Sequence, residues 1–473
     1  MSMDYQTVIG LEIHAELVTE SKMYCECENR FGGEINDRIC PVCVGLPGAL
    51  PTVNKKAVEL AVRTGTAFHC TINNFFRMAR KNYFYPDLPK GYQISQGDTP
   101  ICSGGYLEFM CGGKLKRVNI TRIHLEEDAG KMLTDEKGSV CDFNRCGVPL
   151  IEIVTEPDLN SAEEVSDFLK QVRLNLLYLD VCDGKMAEGS LRCDVNVSVH
   201  RVNEPLGERC ELKNISGFSA AVRAVKYESE RQLDLLEREI RINRETRRWD
   251  DEKGESFLMR SKENEADYRY FDEPDMPEIY LSNEEIEEIQ RTMPELLESK
   301  RARFFETGLS ENDINSLLES KERCGLFEAV SAFEKVNKKT ACNFILSEIA
   351  RLTNSGVNLS ETLLTPERLS EIILLIQEKA VSSSGARTLL MKSLDNPLEI
   401  RQLAEECQLI QVSDDDLIEA VVTEVLAENE KSVADYKNGK TNALAFLIGR
   451  CMKKTRGKIN PEKCSDKLVE KLR

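Results

Sequence analysis

Leu11-Glu12-Ile13-His14-Ala15-Glu16-Leu17 alternates without a break between apolar and polar or small residues. That period of two demands a β-strand with one face in a core and Glu12, His14 and Glu16 together on the other. A second stretch, Arg122-Ile-His-Leu-Glu-Glu-Asp-Ala-Gly-Lys131, repeats the pattern. It puts Arg122, His124 and Glu126 on one face and Glu127 on the opposite one. The chain has only four histidines, and two of them stand beside carboxylates in these strands. Packed carboxylates repel unless a cation sits among them, so the pattern points to a divalent metal with a phosphate to hold. A solvated sheet face is the alternative reading.

Further strands carry the same signature. Leu191–Val199 turns Cys193, Val195, Val197 and Val199 one way and Arg192, Asp194, Asn196 and Ser198 the other. Leu150–Val154 is apolar except for Glu152, which is costly to bury without a cation or a donor. Val165, Phe168, Leu169, Val172 and Leu176 predict one helical core face, and Leu233, Leu236 and Ile240 another. Mixed helices and strands without a regular βαβ repeat predict an α+β fold. Past about Ser282 aromatic residues and Pro thin out, and helical patterns such as Ile372, Ile373, Leu375 and Ile376 follow one another. The expected organisation is a mixed sheet and helix domain over 1–292, a helical domain over 293–403 and a small helical tail over 404–473.

Composition narrows the function classes. No apolar run approaches a membrane span, and the first residues lack the basic and apolar parts of a signal peptide. Seventeen scattered cysteines without an export signal predict reduced thiols in the cytoplasm. A net charge of −18 argues against a protein that coats nucleic acid indiscriminately. Residues 431–473, however, hold 12 Lys and Arg against 4 Asp and Glu, which suits either a phosphate-backbone contact or a solvated lysine-rich tail.

Cys25-Glu-Cys27, twelve residues and Cys40-Pro-Val-Cys43 bring four thiols into one loop, with Gly32 and Gly33 easing the turn. That spacing fits a tetrahedral, structural zinc (Zn2+) with no open position; thiols close by chance, or a redox pair, are the alternatives. Between Phe75 and Gln93, Arg77, Arg80, Lys81 and Lys90 interleave with Tyr83, Phe84, Tyr85 and Tyr92, which suits stacking and charge contacts to a nucleotide or tRNA end, or a cation–π-rich surface loop. Gly130-Lys131 and Gly439-Lys-Thr441 each lack the earlier glycine of a P-loop, and Ser382-Ser-Ser-Gly385 reads as a helix start. Phosphoryl transfer is the chemistry best matched to clustered Glu, Asp and His with Lys and Arg nearby.

Several blocks together resemble one family, the B subunits of the tRNA-dependent amidotransferases. They are Val8–His14, Arg80–Asp87, His124–Lys131, Pro149–Ile153, Glu188–Asp194, Glu211–Asn214, Asp267–Phe271 and Val433–Lys440. The resemblance implies a partner A subunit that hydrolyses glutamine, a small C subunit that straps A to B, and ammonia delivered through a tunnel. It implies that ATP phosphorylates the side-chain carboxylate of glutamate on tRNA(Gln), or aspartate on tRNA(Asn), before ammonia displaces the phosphate. Carried over to this sequence, Glu12, His14, Glu126 and Glu152 would surround magnesium (Mg2+). Glu127 and Lys81, with Lys90, would lie along the ammonia route, and Arg192 and Asp194 near the nucleotide. Cys25, Cys27, Cys40 and Cys43 would form a zinc knuckle present in some members only, and the tail would grip tRNA. Two rival classes are a free-standing ATP–carboxylate ligase, which has no use for the basic tail, and a non-catalytic tRNA scaffold, which leaves the acidic cluster without purpose. Whether one or both mischarged tRNAs are substrates depends on the host.

Overall fold

A computed structural model describes the chain except residues 1–3, 136–137, 262–267, 412–414, 438–439, 441, 456–458, 460 and 473. Asp267 and Asn438-Gly439 of the matching blocks, and Gly439 and Thr441 of the P-loop-like stretch, therefore lie outside the described residues. The fold is α+β, with the strands in the N-terminal part and helices throughout the C-terminal part. Two compact units divide it, residues 1–300 and 301–473.

In chain order the elements that build the site are β1 (Tyr5–Glu16), α1 (Lys55–Ala67), β2 (Ala79–Asn82), β3 (Tyr92–Ser95), β4 (Lys114–Glu127), β5 (Pro149–Thr155), α2 (Ala162–Tyr178), β6 (Leu191–Arg201), β7 (Cys210–Ile215), α3 (Phe218–Glu237), β8 (Glu245–Asp250) and β9 (Glu255–Ser261). The main sheet runs β9-β8-β7-β6-β1-β5-β4 and ends on two short strands. Every pairing along β9 to β4 is antiparallel except β7 with β8, which are joined through α3, the long crossover that parallel neighbours need.

The apolar face of this sheet, with Ile9, Leu11, Ile13 and Ala15 of β1, shares one core with α1, α2 and α3. In α2 the predicted stripe of Val165, Phe168, Leu169, Val172 and Leu176 is buried throughout. In α3 it is not. Leu233 and Leu236 are only half-buried, and Ile240 lies beyond the helix end and is exposed. The buried face is instead Ala220, Ala221, Ala224, Val225, Glu228, Ser229 and Gln232. Small residues let this helix lie close to the sheet, and Gln232 joins the ladder itself, accepting from Val199 N–H and donating to Val197 O.

β2, β3 and Phe271–Asp272 form a separate three-stranded sheet. It is fastened by Arg80, which donates to both carboxylate oxygens of Glu273 at 2.7 and 2.8 Å and stacks 4.1 Å over Tyr92. The Glu273 side chain is fully shielded from solvent. Removing one partner of a buried ion pair strands the other, so Arg80→Leu should lower stability by about 3–5 kcal/mol. Urea unfolding measures this, and a loss under about 1 kcal/mol would mean the pair is dispensable.

In the second unit, Pro366–Gln377 buries Leu369, Ile372, Ile373 and Leu375. Ser382 accepts from Gly385 N–H as the N-cap of Ser383–Ser393, as its sequence predicts. The tail has its own core of Ile418, Val422, Val425, Leu447, Cys451, Cys464 and Leu468. Its basic character is reduced from within. Residues 404–430 hold nine Asp and Glu and no Lys or Arg, which offsets the excess counted from 431 onward. Lys454 pairs with Glu424 and Glu428, and Lys471 with Glu419. Among the described residues no helix is long and apolar enough to cross a membrane.

Candidate functional site

Register places the ionisable residues in rows across the polar face of the sheet. Directly opposed residues of an antiparallel sheet share a face. His14 stands opposite Arg192 on β6 and Glu152 on β5, and Glu152 stands opposite His124 on β4. Glu126 of β4 joins this row from the neighbouring one. His14 Nε2 lies 3.3 Å from Glu126 and 3.3 Å from Glu152; His124 Nε2 lies 3.3 Å from Glu152. The Ser95 hydroxyl donates to Glu126 at 3.4 Å. Ligand atoms of His14, Glu126 and Glu152 all fall within 4.8 Å of one another.

Two buried carboxylates at such separation need a positive charge. Burial alone would push His14 down, but Glu152, by charge and hydrogen bond, and Glu126 outweigh it and raise its pKa to about 9. Burial likewise opposes ionisation of Glu152, yet His124 and His14 hold its carboxyl well below the usual range. The proton on His14 thus supplies the charge that a divalent cation would supply in its place. One nitrogen and two carboxylate oxygens with positions to spare fit a small divalent cation, although nitrogen is a less usual ligand for magnesium than oxygen.

Glu12 does not join this cluster. Residues two apart on a strand stand about 6.5–7 Å apart on the same face. Glu12 therefore occupies the next row, opposite Asp194. Its ligand atoms, with those of Asp194 and of Glu211 on β7, form a second acidic group within 4.8 Å. Lys213 contacts Asp194 and lies 3.1 Å from Glu211, and Asn196 donates to Glu12 at 3.0 Å. The sequence reading gives Glu211 and Lys213 no role. The signal lies in Glu211-Leu-Lys213, where the two-residue alternation puts the acid and the lysine on one face.

The remaining predicted residues separate in an informative way. Glu127 follows the parity of Ile123 and Leu125, so it leaves the polar face for the other side of β4. There it contacts Lys90, accepts from Ile94 N–H at 2.9 Å, and is 2 % exposed. Burial pushes its carboxyl above the usual range even against the Lys90 ammonium. Lys81 is not brought to Glu127. Burial would lower its pKa, but Tyr270, Glu126, Glu152 and Tyr83 raise it, so its charge faces the polar cluster. It also lies over the Tyr268 ring at 5.1 Å. Arg192 donates to Asp128 at 2.6 Å, and burial together with Asp128 pushes Glu16, on the same face, up to about 7. Phe84 and Tyr85 are exposed.

Cys25, Cys27, Cys40 and Cys43 converge within 4.8 Å. Sulfurs on a tetrahedral zinc stand about 3.8 Å apart, so the set fits that metal. Hydrogen bonding from Cys25 chiefly, with the Cys40 N–H and Lys22, lowers Cys43 to about 5 against the effect of burial. The knuckle also walls a cavity of about 160 Å³ that Tyr24, Lys90 and Glu127 share.

Comparison with known proteins identifies the family. Residues 7–287 match the model of the GatB/GatE catalytic domain, and residues 326–472 match that of the GatB domain. The aspartyl/glutamyl-tRNA(Asn/Gln) amidotransferase B subunit of Thermoanaerobacter pseudethanolicus is 48% identical, covering 99% of this chain and 100% of the relative. The B subunits of the same enzyme from Caldicellulosiruptor bescii, 47% identical, and Clostridium acetobutylicum, 44% identical, each cover 99% of both chains. With both halves matched and likeness extending along nearly its whole length, this chain belongs to the B-subunit family of the aspartyl/glutamyl-tRNA(Asn/Gln) amidotransferases.

Proposed function

We propose that the chain is the amide-forming subunit of an aminoacyl-tRNA amidotransferase, working in the cytoplasm with a glutamine-hydrolysing A subunit and a small C subunit. Its substrates are glutamate on tRNA(Gln), aspartate on tRNA(Asn), or both. The observation that carries the reading is the buried convergence of His14, Glu126 and Glu152 on a polar sheet face beside a second acidic group. In this reading residues 1–292 catalyse, 293–403 form a helical connector and 404–473 bind tRNA. The internal pairing of the tail's lysines means that tRNA would meet particular faces of it rather than a uniformly basic surface.

A carboxylate is a poor acceptor for ammonia because oxide is a poor leaving group. Attack of a carboxylate oxygen on the γ-phosphorus of ATP, with loss of ADP, gives an acyl phosphate. Ammonia then adds at the carbonyl carbon, phosphate departs, and the nitrogen loses a proton. Bound Mg2+ at His14, Glu126 and Glu152 would neutralise charge on the transferring phosphoryl group, an effect worth several kcal/mol. Lys81, facing the same carboxylates, adds positive charge there. Arg192 and Lys213, the latter held by Asp194, orient phosphate oxygens along the rows. Glu127, buried and raised in pKa, takes a proton from ammonium at a carboxylate oxygen, and the Lys90 ammonium keeps that carboxylate ionised before the transfer. The exposed Phe84 and Tyr85 offer rings to the acceptor end of tRNA.

Purified complex supplied with each mischarged tRNA, ATP and glutamine should form the corresponding amide, with ADP and phosphate. Failure with both tRNAs would sink the reading.

The cation assignment has a pH signature. His14 holds its proton up to about pH 9, and a bound cation must expel it. Below that pH the apparent affinity for Mg2+ should fall about tenfold per pH unit, with a proton released on binding. Titration calorimetry in two buffers of different ionisation enthalpy detects that proton, and identical heats in both would remove His14 from the ligand set.

A further inference from the structure

Four tyrosines gather where β2 ends, and the ammonium of Lys81 stands among them. The Tyr268 ring lies 6.1 Å from Tyr83 at 76°, Tyr270 lies 6.3 Å from Tyr268 at 73°, and Tyr85 lies 5.8 Å from Tyr83 at 63°. Lys81 Nζ is 5.1 Å from the centre of the Tyr268 ring and 6.0 Å from that of Tyr83. We propose that Tyr268, backed by Tyr270 and Tyr83, is a positioning residue that holds the Lys81 ammonium toward the row of His14, Glu126 and Glu152. Its kinetic consequence rests on the amide-forming reading above; the placement of Lys81 does not.

Burial of apolar surface does not account for this cluster. Tyr83 and Tyr268 are only half-buried, and Tyr85 and Tyr270 are exposed. Edge-to-face pairs leave ring faces open, and a ring face attracts a cation through its quadrupole. A lysine side chain otherwise samples many rotamers, so confining it beforehand spares the transition state that ordering.

The segment that carries Tyr268 is fastened to the strand that carries Lys81. Asn82, the next residue of β2, donates from its amide to the Arg269 carbonyl at 2.8 Å and to the Tyr268 carbonyl at 3.3 Å. Phe271 and Asp272 then pair with Arg80 and Ala79. Between the two tyrosines Arg269 has φ +47°, in the left-handed region. A residue other than glycine stays there only where its surroundings over-determine it, and such positions gather at functional sites. The lysine end is directed as well. Lys81 stands opposite Gln93 on β3, whose side-chain oxygen accepts from the Tyr83 hydroxyl at 3.4 Å. Burial works against the charge of Lys81, and Tyr270 followed by Glu126 and Glu152 sustains it. The ammonium that the rings hold is therefore the one that faces the carboxylates.

The test uses the complex with its A and C partners, ATP and a mischarged tRNA that it amidates. Tyr268→Leu keeps apolar bulk without a ring face, and Tyr268→Phe keeps the face. Tyr268→Leu should lower kcat about tenfold, within the range of a desolvated cation–π contact, with KM for ATP and for tRNA little changed. Tyr268→Phe should recover most of that loss. Tyr270→Leu, at an exposed position, should show the same pattern to a smaller degree. Acetylation of Lys81 by acetic anhydride, read by peptide mass spectrometry, should be faster in Tyr268→Leu than in Tyr268→Phe or the unmodified chain. In a Lys81→Met background, Tyr268→Leu should cost nothing further. An unchanged acetylation rate in Tyr268→Leu overturns the proposal, as does an equal loss of kcat in Tyr268→Phe, or a loss that persists in full over Lys81→Met. Should the unmodified complex form no amide with either tRNA, the underlying reading fails, and acetylation alone decides whether the rings hold Lys81.

Discussion

Replacing Glu126 with Gln is expected to abolish ATP-dependent amide formation, by about a thousandfold or more, while the complex with the A and C subunits still assembles. Glu126 is 2 % exposed, and its contacts here are polar: the His14 imidazole at 3.3 Å and the Ser95 hydroxyl at 3.4 Å. Glutamine keeps the volume and one oxygen, so packing of β4 against β5 is preserved. What is lost is one negative charge of the two that face His14. Several kcal/mol of charge stabilisation at the transferring phosphoryl group correspond to a factor of about a thousand in rate. The measurement is amide yield on mischarged tRNA, with glutaminase activity and gel filtration as checks on assembly. Normal transamidation by this variant would reject the metal assignment. A parallel Glu12→Gln variant belongs to the other acidic group, and a milder loss there would rank the two clusters.

The strands are the legible part of this chain, because period-two alternation is a direct consequence of which face is dry. β1, β5 and β6 all bury the residues that alternation selects, and Glu152 is buried beside two imidazoles, as its isolation in an apolar run implies. Alternation fixes the face but not the row. Glu12 and His14 share a face, yet each meets different neighbours, and only strand register shows that Glu12 belongs with Asp194 and Glu211. The same limit applies to Lys81, whose neighbours come from elements distant in sequence. α3 misleads for another reason. Its contact with the sheet is made by alanines and by hydrogen-bonding side chains, so a search for large apolar residues selects the wrong face. In the tail, counting charge from residue 431 omits the preceding acidic helix, Asp415–Glu428, whose carboxylates answer the lysines in space.

If the four-cysteine loop holds zinc, as its geometry allows, its loss should show in stability without reference to activity. Lys22 is fully buried, and its ammonium donates to the Arg38 carbonyl at 2.8 Å and the Phe143 carbonyl at 3.5 Å, with Cys43 Sγ at 3.7 Å. No carboxylate is among these contacts, so thiolates gathered on a zinc would balance the charge. Four thiolates on one Zn2+ leave two negative charges, and a buried lysine beside them is the complementary partner. Cys43→Ser should therefore do two things: empty the zinc site, and leave Lys22 buried without an anion. The second effect alone is worth about 3–5 kcal/mol of stability. Lys22→Met should retain zinc but with affinity lowered about 10- to 100-fold. The two losses should not add. In the double variant the stranded ammonium is gone, so Lys22→Met introduced into the Cys43→Ser background should recover part of the lost stability. Zinc content by atomic emission and a double-mutant cycle from urea unfolding measure both effects. Strictly additive losses, or full zinc in Cys43→Ser, would show that Lys22 is held by the carbonyls alone and that the four thiols do not act as one charged cluster.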